Sequence, residues 1–191
     1  MTSILKVSEI QDPTNSNTAI SIDAAGKVTA PNLVMPAGSV EQVKSVTKTD
    51  TFSTSSDSFV DVTGLSVNIT PSSATSKIVV TASVTGAGTT SQARMEGRLV
   101  RDSTPIFVGD VAGSRGQASF EIYKTEGSSL DSVSVNFFDA PATTSPVTYK
   151  VQVRDNNSSA SSVFINRSQT DTDGSTYNRY ASTITLMEIA Q

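Results

Sequence analysis

Residues 147–154 alternate without interruption, with Val147, Tyr149, Val151 and Val153 set against Thr148, Lys150, Gln152 and Arg154. A side-chain period of two belongs to an extended strand, and it commits one face to a core and the other to water. The pattern recurs at Leu65, Val67 and Ile69, at Ile78, Val80, Ala82 and Val84, at Ala118, Phe120 and Ile122, and at Val133, Val135 and Phe137. Fainter versions lie at 43–53, 94–101, 105–109, 162–166 and 182–189. Between them stand residues that turn a chain: Pro71-Ser72-Ser73, Gly86-Ala87-Gly88, Asp102-Ser103-Thr104-Pro105, Gly113-Ser114-Arg115-Gly116 and Asp155-Asn156-Asn157. No stretch carries a helical period of useful length. Eight to ten strands over about 150 residues predict an all-β fold of two packed antiparallel sheets, a β-sandwich with the jelly roll as its expected form.

Composition agrees and narrows the chemistry. Ser and Thr supply roughly 30% of the 191 residues, and β-branched side chains suit a pleated, half-buried surface. The chain has no Cys and no His. That excludes a thiol nucleophile, a Cys/His zinc site, a haem ligand of either type and a Ser-His-Asp triad. Acid–base work would fall on retuned carboxylates, Lys or Tyr. A net charge of −4 and a pI near 4.8 oppose a nucleic-acid footprint, which needs a basic face. No window approaches the roughly 20 apolar residues of a membrane span, and residues 1–7 lack the apolar centre of a signal peptide. The expectation is a protein that is not an enzyme, uses no cofactor or metal, and neither binds nucleic acid nor inserts in a membrane.

Two unequal parts follow from the spacing. Residues 1–40 hold short apolar runs broken by turn formers, and Ala19 to Ala30 reads as a small hairpin around Asp23-Ala24-Ala25-Gly26. Ile4, Leu5, Ile10, Ile20, Ile22, Val28 and Leu33 are too few to enclose a core. This segment is expected to pack on other chains, as an attachment or oligomerisation piece. Residues 41–191 form the sandwich.

Few polar clusters stand out. Thr170-Asp171-Thr172-Asp173-Gly174-Ser175 resembles the start of a calcium loop but lacks the third acid and the distant bidentate Glu, so a solvated loop accounts for it. Tyr177, Arg179 and Tyr180 follow directly; Tyr and Arg dominate binding hot spots, and aromatic faces among polar groups suit sugars. The competing reading is that the tyrosines cap the edge of the core. Arg94, Glu96 and Arg98 share one strand face and predict a solvated ladder in which Glu96 offsets two arginines. Glu121, Glu126, Asp131 and Asp139 are read as solvated acids, not a glycosidase pair. The Asn-x-Ser/Thr triplets at Asn68, Asn157 and Asn166 are chance products of the Ser/Thr content.

The stretch from Ile4 to Gln11, with the hairpin Ala19-Ile20-Ser21-Ile22-Asp23-Ala24-Ala25-Gly26-Lys27-Val28-Thr29, resembles the opening of fibre-like structural proteins of marine tailed bacteriophages, including those infecting cyanobacteria. Val43–Ser53, Phe59–Pro71 and Ser182–Ile189 are similar to parts of their heads. The resemblance implies a virion protein: a homotrimeric tail fibre or spike, docked on other tail or capsid proteins through its N-terminal segment, with a sandwich head for host attachment through a surface glycan. Gly86–Gln92, Ala140–Pro146, Asp155–Ser161 and Thr170–Tyr180 are the loops expected to meet that receptor, with Tyr177, Arg179 and Tyr180 as contact residues. A capsid-decorating or connector protein without a receptor is the alternative, and a His-free polysaccharide-degrading enzyme the lesser one.

Overall fold

The computed structural model describes residues 9–11, 18–30, 35–89, 93–124, 129–157 and 161–191. The Ile4-Leu5-Lys6-Val7 run, Leu33, Glu126, and residues 90–92 and 158–160 of two expected receptor loops lie outside the described residues. The chain divides into two units, Met1–Pro36 and Ala37–Gln191.

The first unit is a small antiparallel sheet in which β2 (Thr18–Ile22) pairs with both β1 (Glu9–Gln11) and β3 (Val28–Thr29). The expected hairpin turn is present. Asp23 Oδ1 accepts from the Ala25 and Lys27 amides at 2.9 Å each, and Gly26 supplies the φ of 81° that closes the turn. Ile10, Ile22 and Val28 stay exposed, as so small a sheet dictates.

The second unit carries β4 (Val40–Lys48), β5 (Phe52–Thr54), β6 (Val60–Ile69), β7 (Lys77–Gly88), β8 (Ala93–Arg101), β9 (Thr104–Ile106), β10 (Phe120–Lys124), β11 (Asp131–Asp139), β12 (Val147–Asp155), β13 (Val163–Ile165) and β14 (Ser182–Ile189). Four antiparallel pairings nest inside one another: β4 with β14, β6 with β12, β7 with β11, and β8 with β10. Successive pairs fall in alternate sheets. One sheet runs β6-β12-β8-β10, with β9 also on β8; the other holds β4-β14-β7, with β11 on the far edge of β7. This folded-over nest of pairs is the jelly roll. β13 and β5 continue the lines of β14 and β4, so β7 meets β14 along 77–83 and β13 along 86–88. Leu65, Ile78, Val80, Val84, Met95, Leu99, Val151, Val153, Ile184 and Leu186 fill the space between the sheets at 1% exposure or less.

Several expectations are corrected. The 43–53 run is two strands, broken between Lys48 and Phe52. Gly86-Ala87-Gly88 is not a turn but the buried end of β7. Its glycines answer to close packing: a Cβ on Gly86 would stand 2.4 Å from Met95 Cε, and one on Gly88 2.1 Å from Ala93 Cβ. Strand β6 begins earlier than its alternation indicates, because a bulge intervenes. Ser66 pairs with Lys150 and Asp61 with Gln152, and Gly64 at φ 87° absorbs the excess, so that Val62 and Leu65 both face inward.

Asp139 is not a solvated acid. It is 6% exposed and accepts from Tyr149 Oη at 2.6 Å and from Arg101 Nη1 at 2.8 and 2.9 Å. Arg101 and Tyr149 belong to one sheet and Asp139 to the other, so the three side chains tie the layers together. Burial and the Asp139 carboxylate push the Tyr149 phenol far above its ordinary range, which keeps it a donor. The Glu96 ladder is also built differently. Arg154 Nη2 and Nε on β12 bond Glu96 at 2.7 and 2.9 Å, while Arg98 bonds Gln152 and lies 4.1 Å over the Phe59 ring.

Candidate functional site

Between β13 and β14 the chain leaves the sheet at Asn166 and returns at Ser182. The departure is built into a single side chain. Asn166 takes φ 62°, a left-handed conformation that Asn tolerates better than most residues. Its Nδ2 donates to the carbonyls of Lys48 and Asp50 at 2.8 and 3.0 Å, filling the break between β4 and β5. Ser182 Oγ donates to its Oδ1 at 2.7 Å and accepts from the Thr85 amide at 3.0 Å. On the backbone, the Asn166 amide donates to Thr85 and its carbonyl accepts from Tyr180. The neck of the 167–181 excursion is thereby closed by buried hydrogen bonds.

Beyond the neck, Arg167 lies 4.3 Å over the Phe164 ring and donates to the carbonyls of Ser168 and Gln169. Ser168, 2% exposed, donates to the Thr170 carbonyl at 2.7 Å. At the tip the Tyr177 amide donates to the Gly174 carbonyl at 3.0 Å, and the Tyr177 ring rests on Gly174, where a Cβ would sit 3.3 Å from Cδ2. Arg179 Nη2 meets Asp171 Oδ1 at 2.6 Å. Asp171, Thr172, Asp173, Gly174, Tyr177 and Arg179 line a concavity of about 320 Å³. Two carboxylates and one guanidinium leave it one formal negative charge.

Of the three residues singled out for contact, Tyr177 and Arg179 come together and Tyr180 does not line the concavity. Tyr180 stands at the neck, 41% exposed, with its amide on Asn166. Asp171, read from the sequence as part of a calcium-like loop, is the ion-pair partner of Arg179. Among the described residues no group of three or more acids is placed to hold a metal ion. Asn166 drew notice only as a glycosylation triplet; its complete burial and engaged amide give it the structural role, which nothing in the local sequence signals.

The expected receptor loops do not form one surface. Thr89 donates to the Ser162 carbonyl, which brings the β7–β8 and β12–β13 connections to one end of the sandwich. Residues 140–146 follow Asp139, whose partner Ile78 lies at the other end of β7. The 167–181 excursion leaves beside Thr85, on the side of the first two.

No protein-family model matches the chain, and no curated protein matches it in sequence. The chemistry of the loop must stand on its own geometry. Carboxylates that accept from hydroxyls, a tyrosine ring and an arginine already neutralised by Asp171 suit a hydroxyl-rich, uncharged ligand better than an anion.

Proposed function

We propose that the chain is a binding subunit of a tailed-phage virion, a homotrimeric tail fibre or spike that acts by adhesion and not by turnover. Residues 1–40 hold the subunit to neighbouring tail or capsid proteins, and the sandwich head presents residues 167–181 to a neutral glycan on the host surface. One observation carries this reading: an excursion fixed at its neck by Asn166 gathers Tyr177, Arg179, Asp171 and Asp173 around one concavity. Weak single-site affinity would be raised by repetition of the head around the trimer and along the particle.

The test is binding of the full chain to bacterial cells and to arrayed neutral surface glycans. The combined change Tyr177→Ala, Arg179→Ala and Tyr180→Ala is expected to lower binding at least tenfold with an unchanged circular dichroism spectrum. Equal binding by the variant would remove the loop as the contact site.

A further inference from the structure

The two outer faces of the sandwich differ in kind. Cross-strand register places Phe138, Val79, Met187 and Val43 in one row across β11, β7, β14 and β4. Phe138 is 67% and Val43 55% exposed. Ile189 and the 49% exposed Val40 extend the row toward the start of β4. The rest of the face carries hydroxyls and the Asn136 amide, three pairs of which bond each other: Thr81 to Asn136 at 2.8 Å, Ser45 to Thr185 at 2.8 Å, and Thr85 to Ser132 at 2.7 Å. Lys77 is the one charged residue at these register positions. The opposite sheet turns outward Asp61, Glu96, Arg98, Lys150 and Arg154.

We infer that this nearly uncharged face is where copies of the chain meet. A partner here must itself be nearly free of charge, and the same face of the other copies, turned toward a shared axis, satisfies that condition. Thr81, Asn136, Ser45, Thr185, Thr85 and Ser132 already bond one another, which lowers the cost of covering them. The size fits as well. Four strands about 4.8 Å apart and some nine residues of about 3.4 Å give roughly 19 by 30 Å, so two copies would remove on the order of 1,100 Å² from water. A specific interface needs about 1,000 Å². A single exposed Phe would need no explanation, but a continuous apolar row across four strands does.

This rests on the self-assembling part of the proposed function, yet its test reads mass and contact between copies, so failed glycan binding leaves it untouched. Light scattering of the full chain should give a multiple of 20.0 kDa, and Val43→Glu with Phe138→Glu should return it to the single-chain mass. Ser66→Glu, on the opposite outer face, should not. Because the chain has no cysteine, Val43→Cys and Phe138→Cys supply a second readout that does not depend on a disruptive variant. Each should cross-link copies with a short bis-maleimide well above the level of Ser66→Cys. A single-chain wild type would overturn the inference, as would a double variant that keeps its mass, or cross-linking no stronger than at Ser66→Cys.

Discussion

The Ser182 hydroxyl donates to Asn166 Oδ1 at 2.7 Å, joining the two points at which the chain leaves and rejoins the sheet. Fifteen residues depart between them, and the sheet keeps its hydrogen bonding on either side. Replacing Asn166 by Ala removes this contact and the two to Lys48 and Asp50, strands buried acceptors and places a Cβ residue at positive φ. The expected loss is about 3–5 kcal/mol in chemical denaturation. Asn166→Gly, which accepts the same φ, should cost about 1 kcal/mol less than Asn166→Ala.

Tyr149→Phe deletes the hydroxyl that bonds Asp139 across the sandwich and leaves one carboxylate oxygen to Arg101 alone. A loss of about 1–3 kcal/mol is expected, without change in the sheet signal of the circular dichroism spectrum. An equally stable variant would show that Arg101 suffices.

Glu188 is buried on β14, where Ser72 donates through its amide at 2.6 Å and its hydroxyl at 2.7 Å, and Gln42 donates at 2.6 Å. Burial alone would raise its pKa; these hydrogen bonds outweigh it and hold the carboxyl down to about 2, against 4.5 for the free side chain. The unfolded chain therefore takes up the proton first. The stabilisation is complete above about pH 4.5 and is lost as pH falls toward about 2, a change of roughly 2–3 kcal/mol. Denaturation midpoints between these values should fall less steeply in Glu188→Gln.

Gly88→Ala would set a Cβ 2.1 Å from that of Ala93, on adjoining backbone that cannot swing aside. A cost of about 2 kcal/mol or more is expected. Adding Ala93→Gly should recover much of it, and a cycle of the two singles and the double would measure the coupling.

The sandwich was legible because its core-facing strands obey the period of two: Val147 to Val153, Ile78 to Val84 and Leu65 to Ile69 all face as their alternation predicts. What escaped was decided at a distance. Gly86-Ala87-Gly88 has the composition of a turn, but Met95 and Ala93, brought in from β8, make the glycines necessary within a strand. Asp139 looks like any surface acid until Arg101 and Tyr149 arrive from the other sheet. At the loop, Tyr177 and Arg179 could be picked out by residue type, whereas Asp171 becomes part of the same site only through its 2.6 Å contact with Arg179. Asn166 was hidden because its partners, Lys48, Asp50, Thr85 and Ser182, come from three other parts of the chain.

That closed neck has an evolutionary consequence. Apart from the Tyr180 amide on the Asn166 carbonyl, the bonds that close the neck come from outside the excursion, so residues 167–179 form a cassette that can be lengthened, shortened or exchanged while β13 and β14 keep their register. Sequence diversity can accumulate there with the scaffold left unaltered, and a foreign peptide grafted into the same excursion would inherit a rigid mount.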